Sequence, residues 1–225
     1  RNFNISAGVE ADFFDYHETF YEGGKLEAQS EAYINYVISG HYDNLDNVYV
    51  PTKGWSLNMN YALHTNNGVE VHHHTPFASV QYKVTGALRT GNLLTFIPSL
   101  YGRTLIGMEV TYPYFNCLGG ILPARHMPQQ MPFVGLQDIE LFDNSVMVAA
   151  LEARFTIAKN HYISAVGNVL TENDDFRKML LFKDTLVGFG LKYTYQTSLG
   201  PLTVLASGTD RHPLGGFYVS FGKNF

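Results

Sequence analysis

The chain has 225 residues, of which 45% are hydrophobic and 16% are charged, with a formal net charge of -5 at pH 7. This length is enough for one large domain, and the weakly acidic balance excludes a general electrostatic attraction for nucleic acid. No stretch approaches the roughly 18 consecutive apolar residues of a membrane-spanning helix, so the helical class of membrane protein is excluded as well. The 21 Gly, 16 Phe and 15 Tyr residues, beside one Trp and one Cys, favour strands joined by tight turns. The single cysteine, Cys117, cannot form a disulfide within the chain.

Apolar and polar side chains alternate along the chain with a period of two, which is the pattern of strands that have one apolar face. In the first such segment Phe3, Ile5 and Val9 share one face, while Asn4 and Glu10 lie on the other. About ten segments show this alternation: 2–14, 32–43, 54–64, 77–88, 93–101, 145–157, 161–170, 186–197, 202–208 and 215–225. Most are close to the roughly 9 to 11 residues with which a tilted strand crosses a bilayer. The sequence therefore predicts an all-β fold, an antiparallel transmembrane β-barrel.

The predicted strands are joined alternately by short turns, such as 199–201, and by long polar segments, such as 66–75 and 107–144. Outer-membrane barrels have this asymmetry, with short turns on the periplasmic side and long loops outside. We expect residues 1–225 to form a single transmembrane β-barrel domain with a long outer loop at about 107–144. Aromatic residues near strand ends are expected to form the interfacial belts: Tyr16, Tyr42, Tyr49, Trp55, Tyr112, Tyr114 and Tyr195.

The second face of the predicted strands is polar but carries few charges, which suits a crowded lumen better than the wet face of a soluble β-sandwich. A soluble all-β domain is the alternative. Five charged residues are predicted to point into the lumen, where they form ion pairs or gate a pore: Glu10, Lys83, Glu152, Arg154 and Lys192. If the apolar face meets lipid, Leu191→Arg should cost roughly 2 to 4 kcal/mol of stability, and Lys192→Ala on the lumen side should be far milder.

The last predicted strand alternates to the end of the sequence, with Phe217, Val219, Phe221 and Phe225 on one face. We expect this strand to close the barrel by pairing with the first strand, because lipid cannot satisfy the polar groups of an open sheet edge.

Three longer motifs follow one another along nearly the whole chain: NLDNVYVPTKGWSLNM, DNSVMVAALEARFTI and GFGLKYTYQTSLGPLTVLAS. Together they resemble the barrel of the BamA-type insertase and bacterial surface antigen superfamily. The resemblance implies a sixteen-stranded barrel in the bacterial outer membrane, of which this chain would supply the last ten strands. It also implies that six strands and any further domain precede Arg1.

The sixth outer loop departs from the pattern of the insertases, which carry an Arg-Gly-aromatic tip there. The corresponding stretch is PQQMPFVGLQ, with a predicted tip at Pro132, Phe133, Val134 and Gly135; Val134 stands in place of the arginine, and Leu136 in place of the aromatic residue. This stretch, with AKNHYISAVGNV and GFGLKYTY, is closer to the barrels of outer-membrane patatin-like phospholipases. That resemblance implies a barrel anchoring an upstream lipase domain. An insertase-like barrel for protein assembly or polypeptide translocation is the alternative, and a free-standing ten-stranded barrel is a third.

No catalytic, metal-binding or cofactor-binding set is predicted in this chain. It contains no G-x-S-x-G nucleophile elbow, so an acyl hydrolase of the patatin type would need its serine elsewhere. His126, His161 and His212 have no Ser or Cys at a recognisable spacing. The consecutive run 72–74 of histidines and the acidic cluster at 172–175 are interpreted as outer-loop residues, and a cation site is the alternative at each. The expected partners are outer-membrane lipid, lipopolysaccharide, the outer-membrane assembly machinery and other outer-membrane proteins, without nucleic acid.

Overall fold

The computed structural model describes residues 3–15, 19–21, 24–26, 30–67, 75–108, 110–121, 129–136, 139–179, 181, 185–211 and 215–222. Ten long strands and four short ones make up nearly all of the regular structure. In chain order the strands are β1 (Phe3–Asp15), β2 (Thr19–Tyr21), β3 (Gly24–Leu26), β4 (Ser30–Asp43), β5 (Lys53–Thr65), β6 (Phe77–Thr90), β7 (Leu94–Ile106), β8 (Asn116–Leu118), β9 (Glu140–Phe142), β10 (Ser145–Ala158), β11 (His161–Asn173), β12 (Thr185–Thr197), β13 (Gly200–Thr209) and β14 (Gly216–Phe221).

Helical structure in the described residues amounts to a 3₁₀ turn at Tyr112–Tyr114 and a single turn, α1, at Phe176–Met179. No helix in this part of the chain is long and apolar enough to cross a membrane.

The ten long strands form one antiparallel sheet in the order β1-β4-β5-β6-β7-β10-β11-β12-β13-β14, so each pairs with the next long strand along the chain. This confirms the predicted all-β fold and its ten strands. Within the described residues the edge strands β1 and β14 pair only with β4 and β13, and the sheet is not closed. The closure expected of the last strand therefore stays a prediction, and Phe225 lies outside the described residues.

One face of the sheet is an apolar surface that is open to the surroundings. The alternation of each strand places its large apolar side chains there, and the antiparallel register keeps them together across strands: Phe3 pairs with Tyr42, Tyr61 with Val80, and Val204 with Val219. Side chains on this outward face from β1 to β14 include Phe3, Ile5, Val9, Ile38, Met59, Leu151, Phe189, Leu191, Phe217, Val219 and Phe221, all exposed. A continuous apolar surface of this kind is suited to lipid.

The connections of the sheet differ between its two ends. At one end the strands are joined by the segment 44–52 and by tight turns at 91–93, 159–160 and 198–199. The turn between β10 and β11 is short, and in it Asn160 takes a positive φ of 66°, a conformation that asparagine tolerates better than most residues. At the other end most connections are longer, apart from the six-residue segment 210–215 between β13 and β14, and the segment 107–144 between β7 and β10 is the longest.

Three of the aromatic residues predicted for the interfacial belts lie on the outward face near the short-turn end: Tyr42, Trp55 and Tyr195, each partly exposed. The structure corrects two others. Tyr114 is only 6% exposed, because it packs inside the curved sheet, and Tyr49 lines an internal cavity. Tyr16 lies outside the described residues.

The core of the molecule lies on the inner face, between the sheet and the 107–144 segment. One cluster joins loop residues Leu118, Met131, Phe133 and Leu136 to strand residues Tyr101, Val146, Val148, Leu170 and Leu186. A second, nearer the start of the chain, joins Tyr33, Phe77, Leu105 and Tyr114. The polar lumen predicted from the alternation is therefore filled, in its long-loop half, by a folded segment of the same chain.

Candidate functional site

The segment 107–144, here called the lumen loop, folds back against the inner face of the sheet. It carries the 3₁₀ turn and the short pair β8–β9, and its central side chains are fully buried: Cys117, Leu118 and Phe133 have 0% exposure. Residues 115–121 were predicted to be part of an outer loop. The burial of Cys117 and Leu118 explains why the sequence places apolar side chains at these two positions.

Backbone hydrogen bonds give the lumen loop its own internal structure. The N–H of Met131 donates to the Cys117 carbonyl at 3.0 Å, and the N–H of Gly119 donates to the Met131 carbonyl at 3.0 Å. The N–H of Phe133 donates to the Gly120 carbonyl at 3.0 Å. Gly119 and Gly120 adopt φ values of 149° and 69°, which L side chains rarely adopt, so glycine is needed at this turn. The loop is therefore a folded plug.

The tip of the lumen loop is held through its backbone. Tyr101 of β7 donates its hydroxyl to the Pro132 carbonyl at 2.7 Å, and Tyr218 of β14 donates to the Leu136 carbonyl at 2.5 Å. Between them lies Asn168 on β11, whose amide orientation is assigned from its hydrogen-bond partners: its oxygen accepts from the Val134 N–H at 2.9 Å, and its nitrogen donates to the Val134 carbonyl at 3.2 Å. Three strands thus satisfy polar groups of the tip that would otherwise be buried without partners.

The inner wall beneath the tip is lined by glycine. A Cβ at Gly188 of β12 would lie 1.9 Å from the Val134 carbonyl oxygen, and one at Gly190 would lie 3.0 Å from the Val134 side chain. On the loop side, Gly135 has a φ of 111°, and a Cβ added there would lie 2.4 Å from the Gly208 carbonyl oxygen. Val134 therefore packs directly against the backbone of Gly188 and Gly190, which are here called the glycine floor.

A second anchor lies at the start of the lumen loop. The Tyr114 hydroxyl donates to the Asp12 carboxylate of β1 at 2.7 Å, and its ring packs edge-on against Tyr33 and Phe77 with centroids 5.0 and 5.2 Å away. Burial, with the hydrogen bond to Asp12, raises the pKa of Tyr114 well above its usual range. The hydroxyl is therefore a permanent donor at physiological pH.

Arg103 of β7 reaches the same part of the loop. Its guanidinium donates to the Tyr114 carbonyl at 2.5 Å and to the Asn116 side-chain oxygen at 3.3 Å, while Arg103 itself is 4% exposed. Asn116 in turn donates to the Asp143 carbonyl at 2.7 Å, which joins the two ends of the loop. Nearby, burial raises the pKa of the Cys117 thiol to about 11, against the opposing pull of the Arg103 charge. The thiol is therefore protonated and unreactive at neutral pH.

A network of three polar side chains lies on the wall next to Tyr114. His64 of β5 has its Nε2 2.9 Å from the Ser79 Oγ of β6 and its Nδ1 2.8 Å from the Asn35 Oδ1 of β4. Asn35 donates to Asp12 at 2.6 Å. All three members, together with Asp12, Arg103 and Tyr114, line a cavity of about 360 Å³. Cross-strand neighbours on one face place these side chains together.

A second cavity, of about 350 Å³, lies between the loop tip and the short-turn end. Lys192 and Glu152 line it and form an ion pair, with Nζ and Oε2 2.5 Å apart, and Ser164 donates to the same carboxylate at 2.7 Å. Lys83 also lines it.

The segment 44–52 covers this cavity at the short-turn end of the sheet. Arg154 donates to the Pro51 carbonyl, and Tyr49 lines the cavity. Burial would raise the pKa of Asp46, but hydrogen bonds from Thr52 and from the N–H of Lys53 hold the pKa of that carboxyl below its usual range. The connection is therefore a folded cap rather than a loose turn.

The structure places the five predicted lumen charges on the inner face. It brings Glu152 and Lys192 together, with Arg154 on the same strand, and leaves Lys83 in their cavity and Glu10 in the other. The run 72–74 lies outside the described residues. Among those described, no group of three His, Cys, Asp or Glu side chains is arranged to hold a metal ion.

Sequence reasoning missed the residues that receive the loop: Tyr101, Asn168, Gly188, Gly190 and Tyr218. One signal was available. Gly188 and Gly190 occupy two successive lumen-facing positions of one strand, and glycine in a strand interior marks the close approach of another backbone. The network of Ser79, His64 and Asn35 gave no signal, because its members are spread over 45 residues.

A protein-family model described as the OMP85 superfamily matches residues 1–225. No curated protein matches the chain. Among solved structures, the crystal structure of BamA from Haemophilus ducreyi lacking POTRA domains 1–3 is similar, with a TM-score of 0.61 and 15% sequence identity over 97% of this chain and 49% of that chain. The chain therefore spans about half the length of that structure, and at this identity the likeness is one of fold.

Proposed function

Because the chain belongs to the OMP85 superfamily along its whole length, we propose that it forms part of a bacterial outer-membrane barrel that anchors a further domain and keeps its own lumen closed. The observation that carries this proposal is the seat of the lumen loop. Its tip is held to three strands by uncharged hydrogen bonds and lies on a glycine floor. A plug fixed in this way supports a static anchor better than an open conduit.

The outward face supports the membrane part of the proposal. Leu191, Phe189 and Phe217 are 66%, 48% and 70% exposed on the same face, which would be unfavourable in water and is favourable in lipid. Lipid, including lipopolysaccharide at the long-loop end, is the partner that this surface fits. Insertion of such a surface would require the outer-membrane assembly machinery during biogenesis.

The domain that we propose to be anchored is a patatin-like phospholipase. Support comes from the sequence resemblance of PQQMPFVGLQ, AKNHYISAVGNV and GFGLKYTY to that branch. The same three stretches form the loop tip, the β11 strand that carries Asn168, and the glycine floor of β12. They are thus the parts of one packing arrangement.

An insertase-like barrel for outer-membrane protein assembly or polypeptide translocation is the second candidate. The likeness of fold to BamA favours it, and a loop that could leave its seat would open the lumen. Val134 at the position of the expected arginine speaks for the anchor, because the tip has no charge with which to bind an acidic lumen residue.

The deciding experiment reconstitutes the full-length protein in planar lipid bilayers and measures steady conductance. We expect the wild type to conduct little and a variant lacking residues 110–142 to conduct strongly; Asn60→Ala, a lumen substitution away from the tip, serves as the control. Steady pore currents from the wild type would overturn the closed lumen. Hydrolysis of phosphatidylcholine by the same preparation would support the phospholipase, and failed assembly of other outer-membrane proteins on depletion would support the insertase.

A further inference from the structure

The cavity beside Tyr114 contains a hydrogen-bonded chain of the kind that activates a serine. Ser79 Oγ lies 2.9 Å from His64 Nε2, and His64 Nδ1 lies 2.8 Å from Asn35 Oδ1. A nucleophile, a base in contact with it and a third group that orients the base are the elements of covalent acyl transfer, whatever their order along the sequence. Here they come from three adjacent strands, in the order Asn35, His64, Ser79.

The fourth member of the chain determines which ring nitrogen carries the proton. Asn35 donates from Nδ2 to Asp12 Oδ2 at 2.6 Å, so the Asn35 oxygen must face His64. An amide oxygen accepts only, which requires the proton of neutral His64 to be on Nδ1. His64 Nε2 is then free to accept from the Ser79 hydroxyl. Asp12 thereby selects the tautomer that a general base needs.

The ring of His64 is also fixed in orientation. It stacks on Phe77 with centroids 4.6 Å apart and lies 4.4 Å from the ring of Tyr114. Preorganisation of this kind lowers the cost of reaching the reactive geometry. Ser79 and His64 both line the cavity of about 360 Å³, so the hydroxyl has room beside it for a small group.

The lining of the cavity limits the substrate. Phe14, Val37 and Ala62 provide apolar surface, while Glu10 and Asp12 disfavour an anionic ligand. Arg103, whose guanidinium donates to the Tyr114 carbonyl, contributes the positive charge of the same lining. A small, uncharged ester is the ligand that fits both the volume and the charges.

We propose that Ser79, His64 and Asn35 form a second hydrolytic site, inside the lumen, that cleaves small uncharged acyl esters. Ser79 Oγ bonds to the acyl carbon as its proton passes to His64 Nε2, and the bond from that carbon to the ester oxygen breaks as the proton moves on to the leaving alcohol. Water then attacks the acyl-serine by the same route, giving a carboxylic acid and free Ser79. Ser79 and His64 are the catalytic residues, and Asn35 is a positioning residue.

The test treats the full-length protein in nanodiscs with a fluorophosphonate probe and maps the labelled peptide by mass spectrometry. We expect label on the peptide that contains Ser79, its loss in Ser79→Ala, and at least about tenfold slower labelling in His64→Gln, the loss expected when a general base is removed. Ser39→Ala, another lumen-facing serine that contacts Asn60, should label at the wild-type rate. Heat-modifiable migration on gels checks that each variant is folded.

Two further readouts separate a catalytic role from a structural one. The rate of fluorophosphonate labelling at Ser79 should fall in Asn35→Ala, and its pH profile should change, since the His64 tautomer is no longer fixed. Absence of label at Ser79 in folded wild-type protein would overturn the proposal, as would labelling of Ser79 at the wild-type rate in folded His64→Gln. Label on a serine outside residues 1–225 would support the proposed phospholipase domain and would say nothing about Ser79. Each proposal can therefore fail without the other.

Discussion

Gly188 and Val134 are in such close contact that a methyl group at Gly188 would lie 1.9 Å from the Val134 carbonyl oxygen. The two residues are 54 positions apart and belong to the strand wall and to the loop tip. Their contact therefore reports whether the lumen loop is seated.

Gly188→Ala should displace the loop tip, because the added methyl group overlaps a backbone oxygen that cannot rotate away. We expect a loss of about 1–3 kcal/mol in the free energy of unfolding, measured by urea denaturation in lipid vesicles. The matched control is Gly167→Ala on β11, where an added Cβ has nothing within 4 Å. Equal losses in the two variants would argue against the seated tip.

Asn168→Ala should loosen the same tip without adding bulk. The variant leaves the N–H and the carbonyl of Val134 without their partner, at an expected cost of about 1–3 kcal/mol. Asn60→Ala, which removes a 3.3 Å contact with Ser39 at an exposed lumen position, should change stability little. Protease cleavage within the loop should rise in the first variant and stay at the wild-type level in the second.

Leu191→Arg should cost about 2–4 kcal/mol, since Leu191 is 66% exposed on the outward face near the middle of β12. Lys192→Ala is a poor control, although the alternation alone predicts it to be mild, because it leaves the Glu152 carboxylate without its ion-pair partner. Lys83→Ala, on the inner face, is the better comparison. A loss in Lys83→Ala as large as in Leu191→Arg would contradict the assigned faces.

Cys117 should resist maleimide at pH 8 in the folded protein and react at once in urea. Burial holds the pKa of the thiol at about 11, above its ordinary 9.0, so the thiol stays protonated. A folded pKa above the unfolded one contributes stability below pH 9 that is lost as the pH rises toward 11. Cys117→Ser should flatten this loss. Rapid labelling of the wild type at pH 8 would show that the loop leaves its seat.

The strands could be read from the sequence because a period of two is a local signal. The alternation of apolar and polar residues from Phe3 to Val9, or from Leu57 to Tyr61, can be recognised without the rest of the chain. The ten strands predicted in this way are those of the observed sheet. Strand ends differ from the prediction: the predicted segment 93–101 extends in the structure to Ile106, since the apolar pattern stops before the hydrogen bonding does.

The sequence locates the lumen loop but does not predict which strand residues contact its tip. Its partners Tyr101, Asn168 and Tyr218 lie on three different strands, and only the curvature of the sheet brings them to one place. Tyr114 was misassigned to an interfacial belt for the same reason: a tyrosine near a strand end suits lipid headgroups as well as it suits Asp12, and local pattern does not separate the two.

The order of the strands along the chain has a consequence for biogenesis. The lumen loop follows β7, and apart from Tyr101 of β7 the residues that hold its tip belong to β11, β12, β13 and β14, all of which follow the loop in the sequence. A chain that adds hairpins one after another must therefore carry an incompletely held apolar loop until β14 has paired with β13. During assembly Cys117 should pass from labelled to protected only after β13 and β14 have formed, which makes their pairing the step that seals the interior.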